Sequence, residues 1–393
     1  MIKTPAGFLL SGINCGLKKN NKNDLGLIYC ESFAQALGFF TTNKNVSYSV
    51  TLSRKNISNP IKAVIVNSGN ANCFSHKNGL KDTEVITSKL ADYLSASPSE
   101  TKGSPERATR GERSRTKRVE RIDKKNILIA STGIIGKKLP KEKIISAFPK
   151  LYEEMGRENA ESFSQSIMTT DTFKKISCSE IKLKRGKTRI LGFAKGAGMI
   201  APNVATMLVF ILTDAVLPKF LFKKIAKEAI DESFNSVTVD GCMSTNDTVF
   251  VLSSRKAVLR NAREINAFSK ELKRVCLDLA TMLVKDGEGA SKFIKISIKG
   301  AKSKAEAKKA GLSIANSNLF KCAVYGANPN WGRIIAALGH AGIGVCEGIP
   351  IRMSDLTKKN ISIEVDLKRG TFAQTVYTSD LTPEYIKINA EYS

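Results

Sequence analysis

The sequence predicts a mixed α/β or α+β architecture, on two observations. Runs rich in Ile, Val and Leu that stop at Gly, Asn, Ser or Asp read as buried strands. Between them lie stretches with apolar residues every three or four positions, so strands and helices intermix along the whole length. The 393 residues, 42% apolar and 25% charged, supply enough material for a large core.

The elements follow in chain order. The short apolar stretch 7–13 reads as a first strand, because no proper apolar region with a small-residue cleavage site makes it a secretory leader. A strand is expected over 62–67. A helix is expected over 82–94, where Ile86, Leu90 and Leu94 share a face. Strands then fall at 126–131 and 206–213. A helix follows Pro218, a good first-turn residue, through Phe234. A strand at 247–253, a helix at 263–285 and a strand at 293–299 come next. A last helix is expected over 331–338, after the Pro329-Asn330 helix-start chemistry. No run reaches the roughly 18 apolar residues of a membrane helix, so a cytoplasmic protein is expected.

The segment 95–125 breaks this rhythm. It is rich in Ser, Glu and Arg and nearly free of aliphatic residues, so it reads as a disordered surface insertion. Within 101–125, ten Lys or Arg stand against four acids. The remainder of the net charge of +26 is spread over the chain. A spread basic surface attracts anions in general and names none, and no nucleic-acid motif accompanies it. A basic binding protein without catalysis is the alternative this charge raises.

Eight cysteines without a C-x-x-C pair, scattered through apolar stretches, read as reduced buried thiols. Two histidines, His76 and His340, outside any zinc pattern, argue against a metal enzyme. They also supply a His-based triad poorly, and no G-x-S-x-G elbow is present.

The most unusual stretch is 191–213, LGFAKGAGMIAPNVATMLVFILT, where Gly192, Gly196, Gly198 and Pro202 precede an abrupt apolar strand. It fits neither a dinucleotide fingerprint nor a P-loop. Glycine-rich backbone there means close approach to a ligand, or merely a tight bend. The junction Ala205-Thr206 offers another chemistry. A threonine at a new amino terminus has its own α-amino group, with a reference pKa of about 7.7–8.0, as a base for its hydroxyl. On spacing alone, a Thr that opens a strand is an ordinary strand residue.

The block KGAGMIAPNVATML (195–208) closely resembles the self-cleavage motif of the glutamate N-acetyltransferases, also called ornithine acetyltransferases. In the same order stand VNSGNAN (66–72), ASTGIIG (130–136), MTTDT (168–172), SFNSVTVDG (233–241), STNDT (244–248), KDGEGASKF (285–293) and YGANPNWGR (325–333). The resemblance spans essentially the whole chain outside the basic insertion.

That resemblance implies an enzyme of arginine biosynthesis that cuts itself between Ala205 and Thr206. An α chain of residues 1–205 and a β chain of 206–393 would stay together as an α2β2 assembly. The implied fold is N-terminal-nucleophile-like in reaction logic, with its own topology of mixed α/β layers. Thr206 would carry the acetyl group from N2-acetylornithine to glutamate as an ester. Some members also take it from acetyl-CoA; no other cofactor is implied. A related threonine-nucleophile amidase or aminopeptidase is the alternative, giving the acyl group to water instead.

Residue by residue, Thr132 and Gly133 match the family's oxyanion hole. Read without the family, they are a strand-to-turn junction. Thr169 or Thr170, Lys195, Thr206, Glu288 and Asn389 match its substrate contacts. A lysine suits a substrate carboxylate and Glu288 a substrate ammonium. Three features depart from the family. Its C-terminus runs one residue beyond the Asn-x-x-Tyr-Ser pattern, which leaves Ser393 here as a substitute candidate. Cys242 and Met243 stand where Asp-Thr is usual, and the basic insertion is atypical. Trp331 and Arg333 read as a structural turn rather than a ligand platform.

Overall fold

A computed structural model describes residues 2–96, 121–201 and 207–391. In chain order its elements begin with β1 (Phe8–Ile13), β2 (Leu25–Phe40), α1 (Tyr48–Asn56), β3 (Ile61–Asn70), α2 (Gly79–Ala96) and β4 (Ile127–Ile134). Three short helices, α3 (Lys141–Ser146), α4 (Phe148–Glu153) and α5 (Ala160–Ile167), lead to β5 (Lys175–Lys182), β6 (Lys187–Lys195) and β7 (Leu208–Val216). Next come α6 (Lys219–Glu232), β8 (Thr248–Val258), α7 (Ala262–Lys285), β9 (Phe293–Ala301), α8 (Lys304–Ala315), α9 (Asn318–Tyr325) and α10 (Gly332–His340). Strands β10 (Ile351–Met353), β11 (Asn360–Asp366) and β12 (Phe372–Ser379) precede the last described helix, α11 (Pro383–Glu391).

The large sheet runs β4-β3-β2-β8-β7-β6-β5, with β1 paired to β2. Its pairs are antiparallel except β3 with β4 and β7 with β8. Strand β2 is long enough to serve two neighbours. Its first half pairs with β3, and after a register shift near Ala34 its second half pairs with β8. Strands from before and after position 205 therefore share one sheet, with β8 and β7 standing between β2 and β6.

Both faces of β7 are covered, which is why 208–212 is a continuous apolar run instead of an alternating one. Val209 and Ile211 face α6 and α7, through Phe222, Ile225, Leu279 and Leu283. Leu208, Phe210 and Leu212 face the other way, toward Phe163 of α5 and Phe193. The edge-on pair Phe163–Phe210, centroids 5.4 Å apart, is part of that layer. A smaller sheet, β10-β11-β9-β12, packs Ile294, Ile296, Ile298 and Ile363 against α8 to α10.

Helix α7 begins where Asn261 accepts a hydrogen bond from the Glu264 N–H at 2.9 Å. The Glu264 carboxylate in turn takes the N–H groups of Lys184 and Arg260, tying the start of α7 to the β5–β6 turn. Ser303 caps α8 in the same manner through the Glu306 N–H.

The mixed α/β expectation is met, with boundaries moved by a few residues. The first expected helix extends to 79–96, and the last runs 332–340 with Trp331 just before it. Of the expected insertion 95–125, only the ends are described, and both are structured. Ser95 closes α2 and its hydroxyl accepts from the Ile122 N–H at 3.1 Å. Asp123 caps a short turn at Lys124–Asn126. Residues 97–120 lie outside the described residues.

The cysteine expectation needs correction. All eight are free thiols, but only Cys30, Cys73 and Cys276 are buried, while Cys178, Cys242, Cys322 and Cys346 are exposed. A cysteine in an apolar stretch of sequence still points outward on one face of an edge strand such as β5 or of a surface helix such as α9, or in a loop. Among the described residues, no helix is long and apolar enough to cross a membrane.

Candidate active site

The ends of four elements meet beside the large sheet. The parallel pair β3–β4 delivers Thr132 and Gly133, in register with Ser68 and Gly69. Gly133 has φ +133°, and a Cβ there would lie 2.4 Å from the Gly69 carbonyl carbon and 2.5 Å from the Asn70 nitrogen. Only glycine admits this approach, so the backbone at 133 is held open to the cleft. Strand β6 ends at Lys195, whose side chain is buried and whose Nζ donates to Thr132 Oγ1 at 3.2 Å.

Next to Lys195, the loop 168–172 turns around Asp171. That carboxylate accepts from the Thr169 N–H at 2.9 Å and from the Gly196 N–H at 2.7 Å. Burial alone pushes the Asp171 pKa up. The neighbouring Lys195 and Lys175 ammonium groups and the Gly196 N–H outweigh it and hold the acid at about 2. Burial lowers the Lys195 pKa from the ordinary lysine value, with Asp171 the largest opposing influence.

Beyond the end of α7, the Glu288 N–H donates to the Ala197 carbonyl at 2.9 Å, which seats the loop 286–289 against the glycine-rich segment. A Cβ on Gly198 would meet the Glu288 carboxylate at 2.2 Å, so that glycine makes room for the acid. Asn389 of α11 reaches back and donates to Glu288 Oε2 at 3.1 Å. Nearby, Asp240 accepts from the Met199 N–H at 2.6 Å and from the Tyr385 hydroxyl at 3.3 Å. Burial raises the Asp240 pKa above the ordinary aspartate value.

Thr132, Gly133, Thr169, Thr170, Lys195, Glu288 and Asn389 thus line one cleft. Both Thr169 and Thr170 border it. Ala205, Thr206 and Ser393 lie outside the described residues, but Leu208 stands in register with Lys195 across β6 and β7. Trp331 and Arg333 are not among the cleft residues; Arg333 donates to the Leu319 carbonyl and braces the turn into α10.

Sequence reasoning missed several neighbours. Asn246 donates to the carbonyls of Ala71 at 2.6 Å and Ser131 at 2.7 Å, tying the end of β3 to β4 just before Thr132. Its signal was the STNDT motif, which carried no assigned role. Asp171 and Asp240 were also overlooked, since a lone aspartate in a polar loop has no distinguishing spacing. Cys242 is exposed and its N–H donates to Asp240 Oδ1 at 3.1 Å. Among the described residues, no group of three His, Cys, Asp or Glu stands where it would hold a metal ion.

In chemical terms the cleft offers one buried cation, one carboxylate steadied by an amide, and a hydroxyl beside exposed backbone. This suits a small zwitterion with a polarisable carbonyl.

Similarity to known proteins runs along the whole chain. The ArgJ family model matches residues 9–355 and 350–393. A glutamate N-acetyltransferase of Methanococcus maripaludis (strain C5) is 38% identical over 428 aligned positions, covering 100% of this chain and 97% of its own. An arginine biosynthesis bifunctional protein ArgJ of Geobacter sulfurreducens is also 38% identical, covering 98% of both chains. A crystal structure of the bifunctional ArgJ of Bacillus halodurans is 34% identical, spanning 47% of this chain and 98% of its own, with a TM-score of 0.44. On the family match and the full-length identity, the chain belongs to the ArgJ family.

Proposed function

We propose that this chain, an acetyltransferase of the ArgJ family, moves the acetyl group of N2-acetylornithine to glutamate through an ester on Thr206. The observation that carries the reading is the convergence of Thr132, Gly133, Thr169, Lys195, Glu288 and Asn389, from distant segments, around one cleft beside the start of β7.

The chain first cuts itself. The Thr206 hydroxyl attacks the Ala205 carbonyl, the Ala205–Thr206 C–N bond breaks to leave an ester and a free α-amine on Thr206, and water hydrolyses the ester to an Ala205 carboxylate and the Thr206 hydroxyl. That amine then accepts the hydroxyl proton as Oγ attacks the acetyl carbonyl of N2-acetylornithine. The Thr132 hydroxyl and the Gly133 backbone N–H stabilise the oxyanion. The amine returns the proton to the departing ornithine nitrogen. Glutamate binds next, and its α-amine attacks the ester to give acetylglutamate and restore Thr206. Lys195 meets the substrate carboxylate, and Glu288, held by Asn389, meets the substrate ammonium. Thr169 or its neighbour Thr170 completes the contact set, and Ser393 is a further candidate. The two pieces, 1–205 and 206–393, stay associated as an α2β2 assembly in the cytoplasm.

The test is direct. The purified protein is expected to run as bands of about 22 and 20 kDa on a denaturing gel, following the shares of its length on either side of the cut. Incubation with N2-acetylornithine and glutamate should yield acetylglutamate. A single uncut band, or acetate as the only product, would overturn the transferase reading; the latter is what a threonine hydrolase gives. The same assay with acetyl-CoA as sole donor decides whether this chain also takes acetyl groups from a thioester.

Gly198→Ala supplies a subtler check. Its methyl would displace the Glu288 carboxylate. A charge-assisted hydrogen bond contributes roughly 1.5–3 kcal/mol, so KM for N2-acetylornithine should rise about 10- to 100-fold. The rate at saturation should change little, because the contact is the same in ground and transition states. An unchanged KM would remove Glu288 from the substrate site.

A further inference from the structure

Behind the cleft lies a second set of charges that touches no cleft space. Lys175, the first residue of β5, is 0% exposed at its side chain. Its Nζ contacts Asp171 Oδ1 at 2.6 Å and also Asp286. Each of these acids holds a cleft loop. Asp171 accepts from the N–H groups of Thr169 and Gly196. Asp286, 1% exposed, accepts from the Thr172 N–H at 3.1 Å and from the Thr172 hydroxyl, and stands two residues before Glu288.

We infer that Lys175 is a positioning residue for the acetyl transfer: one buried ammonium that ties the Thr169, Lys195 and Glu288 loops into a single register without meeting substrate. The inference rests on the functional reading above and deepens it.

The charge balance supports it. Asp171 and Asp286 are two buried carboxylates, and Lys175 and the cleft residue Lys195 are two buried ammonium groups, so these four charges balance. Within it, Lys175 bridges both acids, while Lys195 turns its Nζ toward Thr132. As long as Lys175 satisfies the acids, Lys195 stays directed at the cleft. Remove the Lys175 charge and the acids are left with Lys195 alone, which then draws back toward Asp171 and away from Thr132. A buried pair that loses one partner is strongly unfavourable, whereas loss of both is tolerated. The groups facing Lys195 are Asp171, Lys175, Asp247 and Glu288, with Lys18 a further cation nearby. Of these, Lys175 is a cation held 5.0 Å above the Phe173 ring and closed off from water.

The experiment compares Lys175→Met, Asp286→Asn and the double variant K175M/D286N with wild type, by steady-state acetyl exchange per mole of folded protein. Wild-type exchange, measured first, tests the functional reading by itself. Lys175→Met should lower kcat/KM about 100-fold, the scale expected for a misplacement near 1 Å at a reacting site. Adding Asp286→Asn restores neutrality and should recover at least about tenfold of that loss. A role confined to holding the fold predicts the opposite, a double variant no better than either single one. The pH profile is a second readout. With Lys175 gone its charge no longer opposes protonation of Lys195, so the alkaline limb should move to higher pH. If Lys175→Met does not accumulate as folded protein, Asp286→Asn alone should raise KM about tenfold, through the loosened Glu288. An active wild type with Lys175→Met within threefold of it, or no recovery in the double variant, or an unchanged KM in Asp286→Asn, would overturn the inference.

Discussion

Thr206→Ala is expected to stay a single 42.8 kDa polypeptide and to lose acetyl transfer altogether. Two losses coincide in that one change. Without the hydroxyl there is no attack on the Ala205 carbonyl, so no free amine appears at 206. Without the hydroxyl there is also no oxygen to carry the acetyl group. Removing a nucleophile from a cooperating unit typically costs about 10⁴-fold or more, and here the base never forms either. Thr206→Ser separates the two failures from misfolding. It keeps an oxygen nucleophile and a prospective amine, so slow cutting and residual transfer should appear together. A Thr206→Ala protein that still transfers acetyl at a tenth of the wild-type rate would place the chemistry elsewhere.

The second large effect is expected at Thr132. Thr132→Val keeps the shape of the side chain and deletes only the hydroxyl. Loss of one preorganised oxyanion donor costs roughly 2.7–4 kcal/mol, so kcat should fall about 10²- to 10³-fold. Binding of ornithine should change far less. The variant also removes the acceptor of the Lys195 Nζ hydrogen bond. A modest rise in KM from a wandering Lys195 is therefore expected alongside the fall in kcat, and measuring both separates the contributions. An unchanged kcat would return Thr132 to the plain strand-end reading.

Much of the fold could be read before the structure. The buried strands β3, β4, β7 and β8 were visible because parallel or doubly covered strands are continuously apolar, and β9 because Ile294, Ile296 and Ile298 alternate with Lys and Ser. Two strands of the large sheet were not. Strand β5, KISCSEIK, alternates buried and exposed residues and carries three charges, so it did not stand out. Nor did β2, whose 16 residues include glycines, polar groups and a register shift that suit two different neighbours. The cleft residues came from linked motifs rather than from any local signal. What the motifs could not convey was the support beneath them. Asp286 lies more than a hundred positions from Asp171 and Lys175, and only the meeting of β5 with the end of α7 makes the three one cluster. Asn246 was hidden for the same reason, since its two acceptors, after β3 and within β4, lie far from it in sequence.

The interleaving of strands has a consequence for the history of each molecule. A piece ending at residue 205 would present β2 and β6 with their central companions missing, two raw apolar borders facing water. Neither half is a self-sufficient building block. If the proposed cut is made, assembly is therefore expected to be complete while the polypeptide is still continuous, with scission the last act of maturation, made on a shape that no longer needs the bond it gives up.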